Sequence, residues 1–421
     1  MLEPTSRRLF LRQASRATVA SAMATMLAEA SPLLASTPSG GEDYWDMVRR
    51  QFAFSDNKVP MNAANLCPSP RIIADQVAEL TRDIDTDCSF HNRAKFADLL
   101  ETSRRKVAEQ LGVTADEIAL VRNTSEANNT INNGLALKSG DEVVLWDQNH
   151  PTNNVAWDVR AARFGLKVQR VATPTEPADA GQLVKVFVDA FSSRTRVLAL
   201  THVSNVSGLR LPIREICQAA RQRGIYVHVD GAQSWGALNV NLRELDCDSY
   251  AASAHKWFLG PKEVGLLYVR QERIAEVWPN VVAPGWGNHV HPDVKGAQKF
   301  ESLGQRDDAA LAAIATGVDF HRAIGPARVE ARMIELASLL KTGLADEGLA
   351  LVTPLGTAQS AAVCVVRIPP ANREDVYNKL YTEHGIAGAT TGGLRLCPHV
   401  YNTREHVERA IRGVKTLLAR G

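Results

Sequence analysis

Ser253-Ala254-His255-Lys256-Trp257-Phe258-Leu259-Gly260-Pro261 lies between two short apolar runs, 248–252 and 264–270. Both runs read as strands, so Lys256 sits in the connection between them. A Lys in that setting, beside a Ser and a His, has the makings of a Schiff-base nucleophile. Partial burial disfavours the ammonium and frees the amine. An ordinary surface loop carrying one Lys would read the same way, so the rest of the chain has to decide.

Upstream, strands and helices alternate. Strand patterns at 118–122, 142–146, 168–171, 195–203 and 225–229 are separated by helical patterns at 125–137, 154–164, 181–191 and 213–223. Apolar strands alternating with helices predict an α/β fold, with a mostly parallel sheet covered by helices on both faces. Ligands of such sheets lie beyond the carboxyl ends of the strands. Earlier come a helix at 43–48, a short apolar run at 59–68, and helices at 71–81 and 94–111, the last closed by Gly112. After a loop-rich stretch at 278–300, helices at 308–323, 327–344, 372–383 and 405–419 mix with strands at 361–366 and 394–397, a smaller α+β domain. The expected organisation is a leader at 1–35, an arm at 36–60, a large domain at 61–305 and a small domain at 306–421.

The residues that carry chemistry cluster where strands stop. Asn123-Thr124-Ser125-Glu126 opens a helix, and hydroxyls with free N–H groups there suit an anion. Asn149-His150-Pro151 follows the next strand, and His150 either stacks on a flat ring or caps the helix. Ser204-Asn205 and Asp230-Gly231-Ala232-Gln233 end two more strands. Asp230, at the end of an apolar strand, needs a cationic partner. A protonated pyridine nitrogen is one. A Lys for an aldimine, an Asp for a pyridinium, a flat group, amides and a phosphate cradle together fit pyridoxal 5'-phosphate (PLP).

His202-x-Ser204-Asn205-Val206-x-Gly208, Val229-Asp230-Gly231-Ala232-Gln233 and Ser253-x-His255-Lys256-x-x-x-Gly260-Pro261 resemble the motifs of class V aminotransferases. These are fold-type I PLP enzymes that include cysteine desulfurases, selenocysteine lyases and isopenicillin N epimerases. The resemblance runs from about Asn62 to the C-terminus. It implies an aldimine on Lys256, which also moves the substrate proton. It implies that Asp230 pairs with the ring nitrogen, that His150 stacks on the ring, and that Asn205 and Gln233 bond the phenolic oxygen. Thr124, Ser125, Ser253 and His255 would hold the phosphate, and Arg395 would grip a substrate carboxylate through a bidentate fork. It further implies a homodimer, in which the loop 304–307 reaches the partner's phosphate. Gln305 stands there where many relatives carry Thr.

The resemblance leaves the reaction open. Desulfurases need a mobile catalytic Cys before the C-terminal Arg, and the segment 382–393 has none. Aminotransferase-type chemistry on an amino acid or amino-acid-containing metabolite is the leading expectation. Epimerisation and C–S or β-elimination are the alternatives, with a non-catalytic PLP-fold binding protein as the reading from another class. The stretch Phe300-Glu301-x-x-Gly304-x-Arg306-Asp307 resembles the isopenicillin N epimerase-like branch.

Thr5-Ser6-Arg7-Arg8-Leu9-Phe10-Leu11-Arg12, followed by an Ala-rich stretch, reads as a twin-arginine export signal, too short and polar for stable membrane insertion. It predicts a periplasmic enzyme handed over by the twin-arginine machinery and extends the substrate expectation to secreted metabolites such as siderophores. The chain has 421 residues, 45% of them hydrophobic, with a formal net charge of +2 that matches the balance of the first thirty residues alone. That leaves no basic footprint for nucleic acid. Six scattered Cys show no metal-ligand spacing.

Overall fold

The computed structural model describes residues 41–283, 286 and 294–419. The expected export signal lies outside the described residues. In chain order the first elements are α1 (Glu42–Arg49), β1 (Val59–Pro60), α2 (Arg71–Thr86), α3 (Phe90–Arg93), α4 (Lys95–Leu111), β2 (Ile118–Val121), α5 (Thr124–Gly134), β3 (Glu142–Trp146), α6 (Pro151–Phe164) and β4 (Lys167–Val171). Then come α7 (Ala180–Asp189), β5 (Thr195–Thr201), α8 (Ile213–Arg221), β6 (Tyr226–Asp230), α9 (Leu242–Leu245), β7 (Ser249–Ser253) and β8 (Gly265–Val269). The last part holds α10 (Asp308–Ile324), α11 (Pro326–Asp346), β9 (Cys364–Val366), α12 (Pro370–His384), β10 (Ile386–Ala387), β11 (Leu394–Leu396) and α13 (Arg404–Leu418).

Seven strands form one sheet in the order β2-β8-β7-β6-β5-β3-β4. The sheet is parallel except for β8, which runs antiparallel to both β2 and β7. This is the α/β, mostly parallel architecture expected from the alternation. Strand residues sort by period two into two cores, as the pleat requires. Leu120, Val144, Leu198, Leu200, Val227 and Val229 join one face. Ala119, Val121, Val143, Leu145, Val197 and Ala199 join the other. Because both faces are covered, these strands are apolar throughout.

The edge strand β2 is protected by a charge. Glu301, at the end of a 3-10 turn (Gly296–Glu301), accepts the Leu120 N–H at 2.6 Å and pairs with the buried Arg104 of α4. A carboxylate on the free N–H row closes an edge that would otherwise template further pairing.

Helix α5 was expected over 125–137 but stops at Gly134. A Cβ there would come within 2.3 Å of the Trp278 carbonyl, and Leu135 leaves in extended geometry to bridge Val277. Helix α6 starts three residues before the expected 154, because Pro151 takes the first helical position and His150 caps it.

The C-terminal part has its own core, built on Leu336, Leu340, Cys364, Leu380, Leu394 and Val414. Val59 and Met61 are buried in it, and β1 pairs in parallel with β10. The end of the arm, with Met61, is thus threaded through the small core before the chain reaches the large sheet. Ala309 and Ala312 of α10 pack instead with Leu80 of α2 and Phe96 of α4.

Candidate active site

Lys256 lies in the turn that joins β7 to its antiparallel partner β8, with Ser253 opposite Gly265 where the ladder ends. The turn is tight: Leu259 N–H reaches the Lys256 carbonyl at 3.0 Å, and Gly260 N–H reaches that of Ala254 at 2.8 Å. Leu259 adopts φ +59°, a left-handed conformation unusual for a branched residue. Burial holds it there. Phe258 stacks between Trp235 (centroids 3.9 Å) and His321 (4.8 Å). Trp257 Nε1 donates to Gln233 Oε1 at 2.7 Å. The two residues that follow Lys256 are pinned, so its side chain projects from a fixed base.

Burial pushes the Lys256 ammonium below its ordinary value; Asp230 opposes that shift and Arg395 adds to it. Burial likewise lowers His150, helped by the Lys256 charge and opposed by Asp230. These mutual influences place Lys256, Asp230, His150 and Arg395 within electrostatic reach of one another. Lowering the Lys256 ammonium favours the neutral amine, the form that acts as a nucleophile.

Asp230 ends β6 and is only 2% exposed. Its Oδ1 accepts the Ala232 N–H at 3.0 Å and its Oδ2 accepts Asn128 Nδ2 at 2.9 Å. Among the described residues no cationic side chain forms an ion pair with it. Asn205, 7% exposed, gives its carbonyl to Arg395 Nη1 at 3.0 Å, while its side-chain amide makes no hydrogen bond among the described residues. Gln233 donates Nε2 to the Ala64 carbonyl at 2.9 Å, so one N–H of that amide remains for a ligand oxygen.

At the α5 N-terminus, Ser253 Oγ accepts the Thr124 N–H at 2.8 Å and lies 2.7 Å from Thr124 Oγ1. Ser125 follows, and among the described residues its hydroxyl makes no hydrogen bond, while its carbonyl accepts from Asn129 Nδ2 at 2.9 Å. Burial first, then Lys256 and Lys262, lower the His255 ring to about 4, so it is neutral at pH 7. His150 is the N-cap of α6: its Nδ1 accepts the Thr152 N–H at 3.3 Å. Stacking and capping, alternatives in the sequence, are compatible, since a hydrogen bond to Nδ1 lies in the ring plane and does not use the ring faces. Arg395, 4% exposed, also donates from Nη2 to Asn62 Oδ1 at 3.1 Å, and its Nε stays buried without a partner. In the 304–307 loop, Gln305 Oε1 accepts from Arg93 at 2.8 Å.

The sequence reading missed four residues: Asn62 behind Arg395, Trp257 behind Gln233, and Asn128 and His228 behind Asp230. Two signals were available. Asn128 follows Thr124 by four positions on one helix face. His228 precedes Asp230 by two on the same strand, hence on the same side of the sheet.

These residues fit PLP on the structure's own terms. The buried Asp230 carboxylate lacks a cation, which a protonated ring nitrogen supplies. The free Asn205 amide and the spare Gln233 N–H can meet the phenolic oxygen, and the α5 terminus with its hydroxyls the phosphate. Fold and site together define a fold-type I PLP-dependent enzyme.

Comparison with known proteins agrees. Residues 69–413 match the family described as Aminotransferase class-V. The isopenicillin N epimerase of Amycolatopsis lactamdurans is 30% identical over 396 residues, covering 89% of this chain and 98% of that protein. A probable cysteine desulfurase of Pyrococcus abyssi is 28% identical, covering 82% and 90% respectively. A C-DES mutant with glycine covalently linked to its PLP cofactor superposes with a TM-score of 0.80 at 23% identity, covering 87% of this chain and 98% of that one. The chain belongs to the class-V aminotransferase family, and its cofactor is PLP.

Proposed function

We propose that this enzyme acts on the α-amino centre of an amino acid, or of an amino-acid-containing metabolite, by aminotransferase-type chemistry. The observation that carries this reading is the depressed Lys256 amine, within electrostatic reach of the buried Asp230 carboxylate and of the Arg395 guanidinium, whose Nε is buried without a partner among the described residues. Bound PLP supplies an electron-withdrawing ring that stabilises negative charge at the substrate Cα. The chain's residues do the rest. Arg395 binds the substrate carboxylate, Asp230 holds the proton on the ring nitrogen, His150 covers the ring face, and Lys256 removes and returns the Cα proton.

Epimerisation is the second reading, favoured by the 30% identity to isopenicillin N epimerase over nearly that protein's whole length. It needs the proton returned to the opposite face of Cα. A desulfurase mechanism is disfavoured by the thiols. Cys364 and Cys397 are fully buried, and burial raises Cys364 to about 12 and Cys397 in the same direction. A thiolate nucleophile needs the reverse.

The deciding experiment incubates the PLP-loaded enzyme with a panel of amino acids in D2O, with and without a 2-oxo acid acceptor, and identifies products by mass and chirality. Deuterium at Cα with 2-oxo acid formation supports transamination. Inverted substrate supports epimerisation, and β-fragment release supports elimination. Absence of Cα exchange with every amino acid would favour a non-catalytic PLP-binding role.

The proposal extends to place and assembly. Residues 1–35 would direct twin-arginine export, so that the folded holoenzyme meets its substrate in the periplasm. Retention in the cytoplasm of the Arg7→Lys/Arg8→Lys variant tests this. A homodimer would bring the 304–307 loop to the partner's phosphate site, and sedimentation of the holoenzyme at monomer mass would remove that part.

A further inference from the structure

We propose that Asn128, His228 and Ser249 are positioning residues for the reaction: a one-way chain of hydrogen-bond donors that ends on Asp230 Oδ2 and fixes the carboxylate that would pair with the cofactor's ring nitrogen. The proposal rests on the PLP reading of the site and deepens it.

The chain is read from the carboxylate outward. Oδ2 of Asp230 only accepts, so the Asn128 atom 2.9 Å from it is the amide nitrogen. The other end of that amide, Oδ1, lies 2.9 Å from His228 Nε2 and can only accept, so Nε2 carries a proton. Complete burial lowers the His228 ring to about 3, which keeps it neutral, so its Nδ1 has a lone pair. Ser249 Oγ, 2.8 Å from Nδ1, therefore donates. Every proton in the series points toward Asp230. One tautomer, one amide orientation and one hydroxyl rotamer satisfy it.

The fold builds this from three elements. Asn128 comes from the first turns of α5. His228 and Asp230 are alternate residues on β6 and face the same side. Ser249 is the cross-strand partner of His228 on β7. All four side chains are buried. Apolar residues at 128, 228 and 249 would fill the same space with fewer hydrogen bonds to match, but would leave the buried Asp230 Oδ2 without its donor. The polar series instead terminates on the one carboxylate the cofactor needs. With Ala232 N–H on Oδ1, it leaves the Asp230 plane no freedom to rotate. A misaligned carboxylate would hold the ring proton less firmly, and the ring would stabilise charge at Cα less well.

The test compares N128A, H228L and H228Q with wild type as PLP holoenzymes. H228Q retains a donor toward Asn128 and is included so that a folding defect in H228L cannot decide the outcome. Two readouts are taken: the pH midpoint of the bound cofactor's visible absorbance, and the rate of Cα–H exchange with a reactive amino acid. N128A and H228L are expected to raise the midpoint by about one pH unit, because a less protonated ring withdraws less charge from the Lys256 nitrogen. They should slow exchange about tenfold with KM unchanged. H228Q should recover most of both. In a D230A background, N128A should change neither readout further. Additive effects of N128A and D230A, or a wild-type midpoint in N128A, would overturn the proposal and leave the series as structural packing. Failure of the wild-type enzyme to bind PLP would instead remove the reading beneath it.

Discussion

Arg395 Nη2 donates to Asn62 Oδ1 at 3.1 Å, joining β11 of the small domain to the segment that leaves the small core for the large one. With Nη1 on the Asn205 carbonyl, the guanidinium is oriented before any substrate arrives. Removing Asn62 should therefore damage carboxylate binding more than chemistry. Asn62→Ala is expected to raise KM for the amino substrate about tenfold with kcat within about threefold. Arg395→Lys should cost about a hundredfold in kcat/KM, because an ammonium cannot reproduce the fork. Steady-state kinetics on the substrate found in the amino-acid panel measure both.

The Thr124–Ser253 pair ties the α5 N-terminus to the end of β7. Ser253→Ala removes one hydroxyl of the cradle and strands the Thr124 N–H. The cofactor dissociation constant should rise about tenfold, equivalent to one lost hydrogen bond with a charged group. Fluorescence titration of PLP into the apoenzyme reads it, and an unchanged affinity would remove Ser253 from the phosphate site.

Much of this was legible before the structure. The βα alternation announces the sheet, because strands buried on both faces must be apolar throughout. The Lys256, Asp230 and Arg395 assignments came from strand ends and the family resemblance. The support layer was harder to see. The Asn62–Arg395 contact spans 333 positions and depends on β1 pairing with β10, for which two extended residues give no local pattern. Nor did the sequence say that β8 would run antiparallel. That follows from the Lys256 turn being too short for a crossover.

Alkylation separates this enzyme from thiol-dependent relatives. All six cysteines are free, and Cys88 alone is exposed. Iodoacetamide under native conditions should modify Cys88 and leave activity intact, as read by peptide mapping and residual turnover. Inactivation tracking the labelling of Cys67, Cys364 or Cys397 would reinstate a nucleophilic thiol.

Acid should weaken the fold through its buried histidines. His202, His228 and His399 are lowered by burial to about 3 and His321 to about 4. The unfolded chain takes up a proton on each near 6.5, while the folded chain does not until pH 3–4. The unfolded state therefore binds more protons in that window, and stability falls as pH falls from about 6.5. Each such histidine contributes a slope of up to about 1.4 kcal/mol per pH unit. Denaturant midpoints between pH 7 and 4.5 measure it, and H228Q should flatten the slope.

Every role assigned to the site depends on Lys256 being the amine that engages PLP. Borohydride reduction of the holoenzyme followed by peptide mass mapping tests it most directly. A phosphopyridoxyl group is expected on the peptide carrying Lys256, and none in Lys256→Ala. A cofactor fixed to Lys262 or any other lysine, or a wild-type enzyme that reduction leaves unlabelled, would contradict it.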